Sequence, residues 1–142
     1  IPANFNASGQ IVLSGSVSAC ERVAQLASDR GLRGTPLSVA GAFHSPFMES
    51  AAEGMRGALS ETPLSDPSIP VWSNVTANQH LNGDIAQRLV DQITGPVRWA
   101  EQCTNMANMY DGNWHELGPG SVLRGLMRRI DREVKVQIHD EP

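Results

Sequence analysis

A chain of 142 residues with 40% hydrophobic side chains has the length and composition of one globular domain with a real core. Its formal charge of −4 argues against a nucleic-acid partner. No apolar run approaches the roughly 20 residues of a membrane span, and no secretory or lipidation signal marks either end, so a membrane is not expected as a partner.

The first residue is Ile1 rather than Met, so the chain is expected to be a piece of something longer. "QIVLSGS" is β-branched and apolar until Ser-Gly-Ser, and predicts a strand around residues 10–14. "SVSACERVAQLASDRG" then places Val17, Cys20, Val23 (or Ala24) and Ala27 at helical spacing. Ser18 and Glu21 have the spacing of a capping box, and Gly31 suits the position after the helix. Cys20 and Cys103 lie far apart without CxxC spacing, and fit reduced, buried thiols of a cytosolic protein. "TPLSVA" gives a second short strand.

Beyond Ser45 the helical signal strengthens. Pro46 suits a first helical position, and Met48, Ala52, Met55 and Leu59 repeat at 4-3-4 spacing until the breaker-rich "TPLSDPSIP". "VWSNV" predicts a strand. "GDIAQRLVDQITGP" predicts a helix with Ile85, Leu89 and Ile93 on one face, ending near Gly95-Pro96. Another helix carries Trp99, Cys103, Met106 and Tyr110. "WHELGPG" is a strand running into a glycine-rich turn. "SVLRGLMRRIDR" is a helix with Val122, Leu123, Leu126, Met127 and Ile130 inside and arginines outside, and "VKVQI" closes as a strand. Strands alternating with helices predict an α/β unit with a largely parallel sheet.

Few residues in this pattern carry chemistry. His44, in "VAGAFHSPFMESAAEGM", sits between an apolar strand and a helix start, where ligands gather at the carboxyl ends of strands. Pattern alone favours the plainer reading, a loop histidine bonded to backbone. His80 reads as solvated and His115 as structural, and no pair of histidines has the spacing of a zinc site, so no metal is expected. The "GPG" at 118–120 could cradle a phosphate, but it lacks the lysine and length of a P-loop, and a tight turn is the better account. Phe47 reads as core. No G-x-S-x-G elbow occurs, and Ser45 carries little weight as a nucleophile.

Five blocks in order, "PANFNASGQIVLSG", "VAGAFHSPFMESAAEGM", "IPVWSNVTA", "LVDQITGPVRWAEQ" and "HELGPGSVLRGLMRRI", resemble successive blocks of the malonyl-CoA:acyl carrier protein transacylases, a family shared with the acyltransferase domains of polyketide synthases. The resemblance covers nearly the whole chain. It implies the C-terminal half of a cytoplasmic enzyme of fatty acid or polyketide synthesis. That enzyme moves malonyl from coenzyme A to the phosphopantetheine thiol of acyl carrier protein through an acyl-serine. It has no permanently bound cofactor, coenzyme A entering only as the thioester substrate.

The implied fold is α/β: a hydrolase-like parallel sheet with flanking helices in residues 41–142, and part of a small ferredoxin-like α+β subdomain in residues 1–40. His44 matches the family's catalytic histidine. Gln92 matches the position whose main-chain carbonyl orients it, in place of an acidic third member. Asn74 matches a polar residue close to the site, Asn6 one near the pocket mouth, and Phe43 the wall that sets selectivity. A phenyl ring there leaves no room for an α-methyl group, and overpacking of about 1–3 kcal/mol gives about tenfold or better preference for malonyl. The serine elbow, the oxyanion-hole loop and the arginine for the malonyl carboxylate would lie in a missing N-terminal half, so the 142 residues alone are expected to be inactive. The alternative is a non-catalytic module that binds a carrier protein on the same scaffold, through the "RGLMRR" helix.

Overall fold

The computed structural model describes residues 1–140. The chain opens with a hairpin, β1 (Pro2–Ala7) against β2 (Gln10–Leu13), antiparallel with two register slips. Gly9, at φ 69°, makes the turn that no β-branched residue would tolerate. Sequence pattern does not predict β1, since "PANFNA" opens on proline and holds two asparagines; pairing with β2 supplies what propensity lacks. Helix α1 (Val17–Asp29) follows, capped by Ser16, whose hydroxyl accepts from the Ala19 N–H. Ser16 therefore does the work expected of Ser18.

The strand expected at 35–40 does not form. No neighbouring strand offers it a ladder among the described residues, and Leu37 and Val39 are left exposed. A single 3₁₀ turn, Pro46–Met48, leads into α2 (Glu49–Ser60). The strand expected in "VWSNV" shrinks to β3 (Trp72–Ser73), paired antiparallel with β4 (Asn78–Gln79). Then come α3 (Ile85–Thr94), α4 (Trp99–Met109), β5 (Trp114–Leu117), α5 (Val122–Ile130) and β6 (Val136–His139).

The chain is mixed α/β, but the largely parallel sheet is not seen among the described residues. Three separate two-stranded pairs stand in its place, and only β5–β6 is parallel. One further parallel link joins the hairpin to the later chain: Phe5 N–H donates to Val97 O and Val97 N–H to Ala3 O, both at 2.8 Å. Arg129 of α5 reinforces this junction by donating to Ser8 O and to Gln10.

Burial is thin. Ala3, Ala7, Ala52, Ala77, Val90, Cys103, Leu126 and Met127 form the core, and four of these are alanine. Several expected core residues are instead outside: Leu89, Tyr110, Val122 and Leu123 are exposed, and Phe47 is 70% exposed. Cys20 is exposed as well, while Cys103 is buried as expected. Among the described residues no helix is long and apolar enough to cross a membrane.

The glycines after β5 form a tight turn whose N–H groups are used within the chain. Gly118 and Gly120 adopt positive φ, 120° and 93°, and the Gly120 N–H is taken by Asp140. Buried Glu116 reaches from β5 to the start of α5, accepting from Leu123 N–H at 2.9 Å and Arg124 N–H at 2.8 Å. The chain's own carboxylate thus occupies the positive end of that helix.

Candidate active site

Among the described residues His44 is one of two non-glycine residues with positive φ, at 57°. Left-handed backbone costs an L-residue on the order of 1–3 kcal/mol and persists only where the surroundings enforce it. Here they do. The 3₁₀ turn begins at Ser45, and the chain must reverse in one residue between Phe43 and that turn. The reversal carries the half-buried His44 ring to the C-terminal end of α3, where Nδ1 lies 2.9 Å from the main-chain oxygen of Gln92.

A carbonyl oxygen only accepts, so this contact puts the imidazole proton on Nδ1. In the neutral ring Nε2 is then the bare nitrogen, a proton acceptor. The Gln92 side chain also lies near Nδ1, at 3.3 Å, but its amide can donate to Gly95 O at the same distance, so it need not compete. The orienting group is thus a peptide dipole without formal charge.

α3 presents this carbonyl because the helix ends just beyond it. Gly95 N–H closes the last turn onto Asp91 O at 2.7 Å, and the chain leaves extended into Pro96. Unpaired carbonyls at a helix end are free to accept from elsewhere. α2 packs along α3, which keeps the His44 loop and its acceptor on adjoining elements.

Phe43 stands beside His44 in the chain and is 44% exposed. Asn74 and Asn6 are joined to each other through one short segment and not to His44. Arg98 N–H donates to Asn74 O at 2.9 Å, while the neighbouring Val97 pairs with the strand that carries Asn6. Asn74 Oδ1 is buried without a hydrogen-bond partner, an acceptor left open. Asn6 falls at the second register slip of β1 and is half-buried. Arg98, which sequence reading passed over, holds this corner: its guanidinium donates to Val75 O and Thr76 O and pairs with Glu101.

The remaining histidines lie elsewhere. His80 is not solvated as expected; its side chain is 8% exposed and sits 3.3 Å from Asp84. Partial burial works to raise the Asp84 carboxyl, but hydrogen bonds from Arg88, His80 and the Leu81 N–H hold it below its ordinary 3.8. His115 and His139 meet side by side on β5 and β6, with ring nitrogens 2.9 Å apart. Among the described residues no three His, Cys, Asp or Glu side chains gather into a metal-binding group.

No family model matches the chain. Among curated relatives, the malonyl CoA-acyl carrier protein transacylase of Bacillus subtilis is 37% identical over 142 residues, 99% of this chain and 45% of the relative. Among solved structures, the malonyl-CoA:acyl carrier protein transacylase of Xanthomonas oryzae superposes with a TM-score of 0.94 at 37% identity, over 100% of this chain and 46% of that one. A malonyl-transacylase solved in complex with its type II polyketide-synthase acyl-carrier protein superposes with a TM-score of 0.94 at 32% identity, over 99% of this chain and 46% of that one. In sequence and in fold alike, the chain is similar to the malonyl CoA-acyl carrier protein transacylases, and it spans about half the length of the curated relatives it matches.

Proposed function

We propose that the chain is the C-terminal half of an acyltransferase that moves malonyl from coenzyme A to the phosphopantetheine thiol of acyl carrier protein, with His44 as its general base and acid. One observation carries this reading: an imidazole whose Nδ1 is bound to the Gln92 carbonyl, and whose Nε2 is therefore the proton acceptor.

The chemistry follows from that tautomer. Nε2 takes the proton of a serine hydroxyl supplied by the N-terminal half as the serine oxygen attacks the malonyl thioester. The tetrahedral intermediate collapses, the C–S bond breaks, and Nε2 returns the proton to the departing coenzyme A thiolate. In the second half-reaction the phosphopantetheine thiol gives its proton to Nε2 and attacks the acyl-serine, and the serine oxygen leaves with that proton. A carboxylate partner would stabilise the imidazolium more strongly. A thiol is already a good leaving group, so a neutral carbonyl suffices to hold the ring.

On this reading Phe43 limits the acyl pocket to malonyl, and Asn74 and Asn6 line its approach. No cofactor stays bound; coenzyme A arrives as the thioester, acyl carrier protein is the partner, and the enzyme works in the cytoplasm. Residues 1–40 belong to a small ferredoxin-like subdomain, which the antiparallel hairpin followed by α1 supports. Residues 41–142 belong to the hydrolase-like large one, which the parallel β5–β6 pair flanked by α4 and α5 supports.

Transfer of labelled malonyl to acyl carrier protein tests the proposal. The 142-residue chain alone should transfer none. Joined to an N-terminal half bearing a Gly-His-Ser-x-Gly elbow it should be active, and His44→Ala should cut kcat by about 100-fold or more, the usual scale of a lost proton-transfer group. Robust transfer by the chain alone, or by the joined His44→Ala variant, overturns it.

A further inference from the structure

The strained backbone of His44 needs something to hold it, and the Gln92 contact secures only the ring. We propose that Ser45 is a positioning residue for His44, with Ser14 as a second tether on the same loop; the inference rests on the reading of His44 as general base.

Three consecutive residues of this loop are each held by a different group. The Ser45 hydroxyl donates back to Ala42 O, Ser14 donates to Phe43 O at 2.7 Å, and His44 Nδ1 meets Gln92 O at 2.9 Å. Ser45 is wholly buried, at 0% exposure, a rare setting for a hydroxyl unless its hydrogen bonds are made. Those bonds account for it fully. Its one proton goes to Ala42 O, and its oxygen accepts the Phe47 N–H at 3.3 Å, while its main-chain oxygen accepts from Met48 at 3.0 Å to start the 3₁₀ turn.

The hydroxyl therefore closes a four-residue loop, Ala42 to Ser45, around the single left-handed residue inside it. Without it, Ala42 O and Phe47 N–H both lose a partner, and residue 44 is free to relax to negative φ. That rotation carries the ring off Gln92 O and turns Nε2 away from wherever the serine oxygen must arrive. Ser14 acts from outside the loop. It lies just past the end of β2, so its bond to Phe43 O fixes the loop relative to the N-terminal hairpin. Phe43 and His44, the residues assigned to selectivity and to proton transfer, are thus set by one pair of serine hydroxyls.

Two measurements test this. In the joined enzyme, imidazole ¹⁵N–¹H correlation spectra should show His44 as a single Nδ1–H tautomer, and Ser45→Ala should convert it to a mixture. In the joined enzyme, Ser45→Ala should lower kcat roughly 10- to 100-fold while KM for the malonyl thioester moves less than about threefold, because proton transfer is lost and binding is not. Ser14→Ala, at a partly exposed site, should lower kcat several-fold, and Ser14→Thr, which keeps the hydroxyl, should restore it; this pair carries the test if Ser45→Ala fails to fold. A folded Ser45→Ala enzyme with unchanged kcat overturns the proposal, as does a loss of activity with the His44 tautomer intact. If His44→Ala is itself fully active, the base assignment fails first; if His44→Ala is dead and the serine variants are unaffected, only the tether fails.

Discussion

Cys20 and Cys103 show how far one side chain's setting controls its chemistry. Cys20 lies exposed on α1, whereas Cys103 is 2% exposed in α4, where burial pushes its thiol up to about 11 from 9.0. A thiolate is the reactive form, so the buried thiol is protected twice, by access and by protonation. At pH 8 an aromatic disulfide reagent should titrate one thiol quickly in the folded chain and the second only after denaturant is added. The sign for stability follows from the raised value. The folded state keeps its proton where the unfolded state has lost it, so the stabilisation is intact below about 9 and is lost as pH rises towards about 11. Over that window the urea midpoint of the joined enzyme should fall more steeply than that of its Cys103→Ala variant. Equal slopes, or two fast thiols at pH 8, would contradict the burial of Cys103.

At the scale of elements, the end of α3 is the part on which the His44 geometry leans. A Cβ built on Gly95 would stand 2.7 Å from Asp91 O, main chain that cannot swing aside, and that oxygen is already held by the Gly95 N–H. Gly95→Ala should therefore prise open the last turn, one that includes Gln92. The expected outcome is a loss of about 1–3 kcal/mol in urea denaturation, the scale of a forced overpacking, together with broadening of the His44 Nδ1–H resonance. An unchanged midpoint with an unchanged resonance would show that the turn has slack the structure does not suggest.

The helices around this site were legible in the sequence because each combines strong spacing with a stop: "TPLSDPSIP" after α2, Gly95-Pro96 after α3, Gly31 after α1. The strands were less so. β1 exists through its partner rather than its composition, and "TPLSVA" has the composition without a partner. His44 was picked out at an expected strand-to-helix seam whose strand does not form, and Gln92 through the family resemblance alone, since a main-chain acceptor leaves no mark on residue type. Ser45 looked like a helix start, which it is, but nothing in its neighbourhood announced a bond back to Ala42.

For the whole molecule the decisive fact is how much apolar surface stays outside. α1 buries none of its residues, and Val17, Leu32, Leu37, Val39, Val122 and Leu117 lie exposed on α1, the loop after it and the β5–α5 region, with Leu117 at 80%. Among the described residues the strands form three two-stranded pairs, which leave edges open except where Val97 takes part of the free edge of β1. Such surface draws apolar partners, and open edges draw strands. Faces that sequence periodicity assigns to a core are found wet, and we propose that a further piece of protein covers them. If the proposed N-terminal half is that cover, the two pieces should behave differently apart and together. The chain alone should scatter light as species well above 15.3 kDa and bind a hydrophobic dye, whereas co-expression with the other half should give a monodisperse one-to-one complex that no longer binds it. A cooperative, dye-silent monomer of the chain alone would mean that its exposed leucines and valines need no cover. The half-enzyme reading would then lose its physical support at this scale, whatever the His44 loop looks like.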